Sequence, residues 1–148
     1  MPLPSNRLAT LFVMGTLVLG AIAFAAFGVQ WLAHPGVMAQ PLGIVLTNGD
    51  ATSDARAVYG GLELGLALFL VYSCWSPSRR TQGLAAGALT LFGLGTARLV
   101  GILLAPDGVS SSTLTLLATD ITGIVWFSVA FYVSRSALAS VSATARRP

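Results

Sequence analysis

Read from the N-terminus, the chain alternates long apolar runs with short polar breaks. The runs cover residues 8–33, 55–75, 82–105 and about 113–133. Each approaches or exceeds the ~20 residues that a helix needs to cross ~30 Å of hydrocarbon. None shows the strict apolar–polar alternation of a membrane β-strand. The pattern therefore predicts four transmembrane helices. The breaks carry turn chemistry. Pro35 and Gly36 follow the first span, and Ser76-Pro77-Ser78-Arg79-Arg80 separates the second from the third. Ala105-Pro106-Asp107-Gly108 ends the third, and Ser110 to Ser112 lead into the fourth. The expected architecture is all-α: an integral membrane four-helix bundle over residues 1–135. A cytoplasmic tail over 136–148 is expected to fray from helix into disorder.

Composition sharpens this. Hydrophobic residues make up 55% and charged residues 9%, against ~25% charged in a typical water-soluble domain. Such a chain has too little charge to cover its own surface in water. That excludes a cytosolic globular enzyme, a disordered chain and a nucleic-acid module. The net charge of +3 does not change the conclusion, because the basic residues sit at the ends of apolar runs and form no patch. All eight basic residues are Arg, so no Schiff-base cofactor can attach to a lysine here. With one Cys and one His, neither an internal disulfide nor a zinc or iron–sulfur site can be built from this chain alone. The reading is of a chain with no cofactor and no metal.

Charge also orients the bundle. Arg7, Arg79, Arg80, Arg135, Arg146 and Arg147 fall on one side of the spans, and Asp50, Asp54 and Asp107 on the other. The positive-inside rule places both termini and the loop between the second and third spans in the cytoplasm. The first run is too long for the 7–15-residue core of a cleaved signal peptide. Residues 34–53 form the long outward connection. Its apolar first part can lie on the outer interface or cap the bundle, as a surface loop or as a lid. Asn48-Gly49-Asp50 reads as a turn.

Ionisable residues inside the spans are the candidate chemistry. Glu63 lies nine residues below Asp54, or roughly 13 Å at helical rise. Arg98 lies below Ala105 and Asp120 below Thr113, each by roughly 10 Å on the same arithmetic. Charges from three helices thus share one layer, with Arg56 above them at the rim. Arg56, Tyr59, Gly60 and Glu63 have the spacing of one helical face. An unpaired charge at that depth costs from ~3 to more than 10 kcal/mol. Arg98 is therefore expected within salt-bridge distance of Glu63 or Asp120, with Arg56 and Tyr59 completing a network. Such a network can fix helix register, form a polar pocket for a ligand head group, or supply an acid–base pair. Glu63 is expected to be the structural partner of Arg98, since its face also carries Arg56 and Tyr59. Asp120, whose face carries no other charge, is the better candidate for proton transfer.

Small residues predict packing. Gly61 and Gly65 in the second span, and Gly83 and Gly87 in the third, form small-xxx-small seams expected to close within the bundle. Gly15, Gly20 and Gly28 offer contact surfaces on the first span, and Gly95 and Gly101 flank Arg98. Trp31, Tyr72, Trp75 and Tyr132 lie near span ends, as an interfacial aromatic belt would. His34 can be read as a metal or haem ligand or a proton carrier, but it lacks a second ligand at matching depth. Cys74, at the inner end of the second span, reads as a small apolar residue before it reads as a palmitoylation site.

Arg56-Ala-Val-Tyr-Gly-Gly-Leu-Glu-Leu-Gly65, Gly95-Thr-Ala-Arg98-Leu-Val-Gly101 and Asp107-Gly108 together carry a resemblance. In their order and spacing the chain resembles a family of small bacterial four-helix membrane proteins, domain of unknown function 4345. The His34-Pro35 step is similar to an X-Pro step there. The resemblance covers most of the chain. It implies the four-helix fold and a bacterial inner-membrane setting, and it implies no activity.

Three functional classes fit these readings. The first is a non-enzymatic module, either an accessory subunit with a membrane protein partner or homo-oligomer, or a binder of a small apolar lipid. The second is a cofactor-free intramembrane enzyme, an isomerase or an epoxide-opening catalyst, acting on an apolar lipid or isoprenoid. There Glu63 or Asp120 is the general acid–base and Arg98 tunes the site or holds a polar group. The third is a proton-coupled transporter, which four spans do not favour without oligomerisation. The first ranks ahead, since a balanced set of charges can satisfy itself.

Overall fold

The computed structural model describes residues 4–145. It is 88% helical with no strand among the described residues. Helix α1 spans Pro4–Ala33 and is followed by the short α2 (Pro35–Ala39) and a 3-10 turn (Gln40–Leu42). The second long helix is built in three pieces: α3 (Gly49–Ala55), a π-helical segment (Arg56–Gly61) and α4 (Leu62–Ser73). Helices α5 (Pro77–Leu104) and α6 (Ser111–Ala145) complete the bundle. Four helices are long and apolar enough to cross a membrane, over Arg7–Ala33, Gly49–Ser73, Pro77–Leu104 and Ser111–Ala137.

Local chemistry moves three boundaries from their expected places. The second helix starts at Gly49, where residue 55 was expected. Asn48 is its N-cap: the side-chain Oδ1 accepts from the Ala51 N–H at 2.8 Å. With Asp50 in the first turn, beside the positive end of the helix dipole, the expected turn becomes a helix start. The third helix starts at Pro77, capped by the Ser76 hydroxyl, which accepts from the Arg79 N–H. The fourth runs on to Ala145, into the stretch expected to be a tail. Arg146 and Arg147 lie outside the described residues.

Successive helices run antiparallel. Helix α1 packs chiefly on α4, and α5 on α6, with α4·α5 and α1·α6 closing the ring. This gathers Arg7, Arg79, Arg80 and Arg135 at one end of the bundle, and Asp50, Asp54 and Asp107 at the other. Leu17, Leu70, Leu84 and Ala130 are fully buried at the centre, with Phe24 and Phe127 beside them. Glycines set the spacing. A Cβ on Gly87 would run into the Phe127 ring, and one on Gly20 would come within 2.5 Å of it. On Gly83 it would meet Ser73 at 2.5 Å. The second-span seam does not close: Gly61 and Gly65 are exposed, and a Cβ on Gly65 would meet nothing within 4 Å. Leu62, Leu68, Leu89 and Leu103 point outward, each 68–75% exposed. That surface is compatible with a multi-pass membrane protein.

Residues 34–47 fold back as a cap on the Asp50 end. Trp31 is the centre of that cap, fully buried among Phe27, Met38, Ala39, Leu42 and Ile44. It is therefore a core residue and not part of an aromatic belt. Tyr72, Trp75 and Tyr132 do face outward. Gly43, at φ +68, allows the chain to leave the 3-10 turn, its N–H donating to Gln40 O.

Candidate functional site

Helices α5 and α6 meet at the layer where Arg98 and Asp120 were expected. Gly95, one turn before Arg98, is buried, and a Cβ there would touch the Asp120 Cβ at 3.4 Å. The missing side chain lets α6 close on α5. Across this contact the Arg98 Nε–H donates to Asp120 Oδ2 at 2.8 Å. Asp120 is buried, and Arg98 keeps 24% of its side chain exposed. Charge-assisted geometry of this kind is the strong form of a hydrogen bond.

Glu63 does not join the pair. Its backbone lies against α1, where a Cβ on Gly28 would sit 3.1 Å from the Glu63 Cβ. Its Oε2 is buried with no hydrogen-bond partner among the described residues. Of the two carboxylates expected near Arg98, Asp120 is thus the one that pairs with it, and Glu63 stands outside that ion pair.

Arg56 and Tyr59 do not complete a network with them either. The Arg56 Nε–H donates to the Leu32 carbonyl at 3.0 Å, and so caps the open end of α1. Tyr59 stacks on Trp31 with ring centroids 4.6 Å apart. The indole Nε1–H of Trp31 has no acceptor among the described residues. The cause is the π-helical segment between Arg56 and Gly61. There the Leu62 N–H donates to Ala57 O, five residues back. The wider turn breaks the 3.6-residue face on which Arg56, Tyr59 and Glu63 were aligned. Gly60 is the residue it turns inward, against Gly28 and Leu32.

His34 is exposed at the junction of α1 and α2, with no side-chain capping bond. Among the described residues no group of three His, Cys, Asp or Glu side chains is placed to hold a metal ion. Cys74 is half-buried at the end of α4, its thiol directed at Leu70 O at 3.5 Å.

Two features had escaped a search confined to ionisable residues. Polar side chains link the helices elsewhere: the Trp126 Nε1–H donates to Thr16 Oγ1 at 3.1 Å, and Thr81 and Ser134 share a 2.8 Å hydrogen bond. The other is an apolar groove of about 680 Å³ between α1 and α4, open at the bundle surface. It runs from Met14 to Ala25 on α1 and from Trp75 to Leu64 on α4. Ala21 and Ala67 form its floor, where larger side chains would have filled it. Alanines facing one another at helical spacing were the available signal.

The family model described as domain of unknown function (DUF4345) matches residues 12–131. No curated protein and no solved structure matches the chain.

Proposed function

We propose, for a chain that belongs to the DUF4345 family, a non-enzymatic role: a membrane module that holds one lipid chain in the groove between α1 and α4. The groove itself carries this reading. Its lining residues are apolar apart from the Cys74 thiol and the Trp75 indole at one end. It offers a hydrocarbon chain dispersion contacts on two sides and offers a polar substrate nothing. The ion pair at the opposite end of the bundle is satisfied within the protein, which suits a scaffold. In this reading the protein is a multi-pass inner-membrane protein of a bacterium, with both termini cytoplasmic.

The test is lipid retention. Purified protein is stripped through several detergent exchanges, and the remaining lipid is counted by native mass spectrometry. The parent is expected to keep one lipid. Val18→Trp with Leu68→Trp fills the groove from its open side and should lose that lipid without lowering the melting temperature. Equal retention by parent and double variant would refute the reading.

One observation favours a second reading. The unpartnered Glu63 Oε2 is the kind of carboxylate that an acid–base catalyst would use. On that alternative the protein isomerises an apolar lipid or isoprenoid or opens its epoxide. Glu63→Gln would then abolish turnover while leaving both fold and lipid retention intact.

A further inference from the structure

The groove has a length and a polarity that narrow its occupant. From Leu64 to Trp75 is eleven residues, or roughly 16 Å at 1.5 Å per residue. Half of a ~30 Å hydrocarbon core is ~15 Å. The groove thus covers the depth of one leaflet, and its two ends differ. At the end nearer the middle of the bundle, just past Leu64 and Ala25, α4 and α1 close together where Glu63 meets Gly28. At the other end lie Cys74 and Trp75, followed by the turn into α5.

The first turn of α5 carries two guanidinium groups held in place. The Arg80 Nε–H donates to the Cys74 carbonyl at 3.3 Å, so Arg80 is fixed to a residue of the groove wall. The Arg79 guanidinium lies over the Tyr72 ring at 4.5 Å from its centroid. Neither arginine has a carboxylate partner among the described residues. Each guanidinium has five N–H donors in a planar fork that matches a phosphate. A slot one leaflet deep therefore ends beside two arginines that the protein itself does not neutralise.

We infer that the groove between α1 and α4 is a site for an anionic phospholipid of the leaflet on the Arg79–Arg80 side. One acyl chain lies between Met14–Ala25 and Leu64–Trp75, and the phosphate head group rests on Arg79 and Arg80. This rests on the reading of the groove as a lipid-chain site and adds the head-group class. Arg135 supplies an internal control. It lies at the same end of the bundle, but on α6 and over the Phe131 ring, away from the groove.

The experiment uses the full chain reconstituted in vesicles of equimolar phosphatidylglycerol and phosphatidylcholine, then extracted in detergent. Retained lipid is counted and identified by native mass spectrometry. The parent should retain phosphatidylglycerol in clear excess, by about fivefold for each arginine engaged. Arg79→Gln with Arg80→Gln should keep one lipid per protein and bring the ratio near unity, while Arg135→Gln leaves it at the parent's value. Raising salt to 1 M during extraction of the parent should also lower the ratio, a readout that needs no variant. An unchanged ratio in the Arg79/Arg80 variant and in high salt, with lipid still retained, overturns the head-group assignment and leaves the groove reading standing. An equal fall in Arg135→Gln overturns it as well, since general surface charge would then suffice. A parent that retains no lipid overturns the groove reading itself.

Discussion

Arg98 meets Asp120 through its Nε, at 2.8 Å and one turn from Gly95, against which Asp120 and Ile124 pack. This pair fixes the register of the two helices. Asp120→Asn leaves a largely buried cation without its counter-charge. Losses for broken buried pairs run ~3–5 kcal/mol, and the partial exposure of Arg98 puts the expectation near the lower end. Thermal unfolding in one detergent should show a clear fall in midpoint. Exchanging the two charges, Arg98→Asp with Asp120→Arg, should recover part of it.

Glu63→Gln should behave in the opposite way. No ion pair is lost, because Glu63 has none among the described residues, and its Oε2 has no hydrogen-bond partner there. The variant should melt at or above the parent temperature in the same detergent. A fall comparable to that of Asp120→Asn would mean that Glu63 holds a cation in the bilayer.

Glycine substitutions should divide by contact. A Cβ on Gly28 would lie 2.8 Å from the Gly60 carbonyl, which is backbone and cannot swing aside. Gly28→Ala must push α1 away from the π-helical segment and should lower stability by ~1–3 kcal/mol. Gly65→Ala meets open space. It should gain up to ~1 kcal/mol from helix propensity alone. Melting curves of the two variants side by side check the ordering.

Topology is tested by labelling single cysteines in a Cys74→Ser background. A cysteine at Gly49 should react with an impermeant maleimide from outside intact cells, and one at Ser78 should react only after lysis. The reverse pattern would overturn the cytoplasmic placement of the termini.

Hydropathy made the spans legible, because a bilayer reads apolar length directly. Depth was legible too: counting residues from the span ends put Arg98 and Asp120 in one layer, and they meet there. Direction around a helix axis was not. Trp31 is close to the end of α1, and that gives its depth, but the cap formed by residues 34–47 buries it completely. Glu63 was aligned with Arg56 and Tyr59 on a regular helix, whereas the chain between them is wound wider. Only the Gly60-Gly61 step hinted at that. The groove was hidden because a void leaves no residue behind, only the smallness of Ala21 and Ala67.

The π-helical segment has a consequence for insertions and deletions. A single π turn inside an α-helix is geometrically an α-helix with one residue too many. Val58, an exposed residue within it, is the natural candidate for removal. Deleting it would let the helix from Gly49 to Ser73 wind regularly and turn everything above the deletion by ~100° relative to α4. The transmembrane half would keep its packing on α1. Arg56 would swing away from Leu32 and Ala55 from the cluster it shares with Trp31 and Ala39, and the cap formed by residues 34–47 would lose its anchorage. The surplus residue thus acts as a rotary joint, setting how the cap of residues 34–47 faces a bundle whose own register is fixed elsewhere.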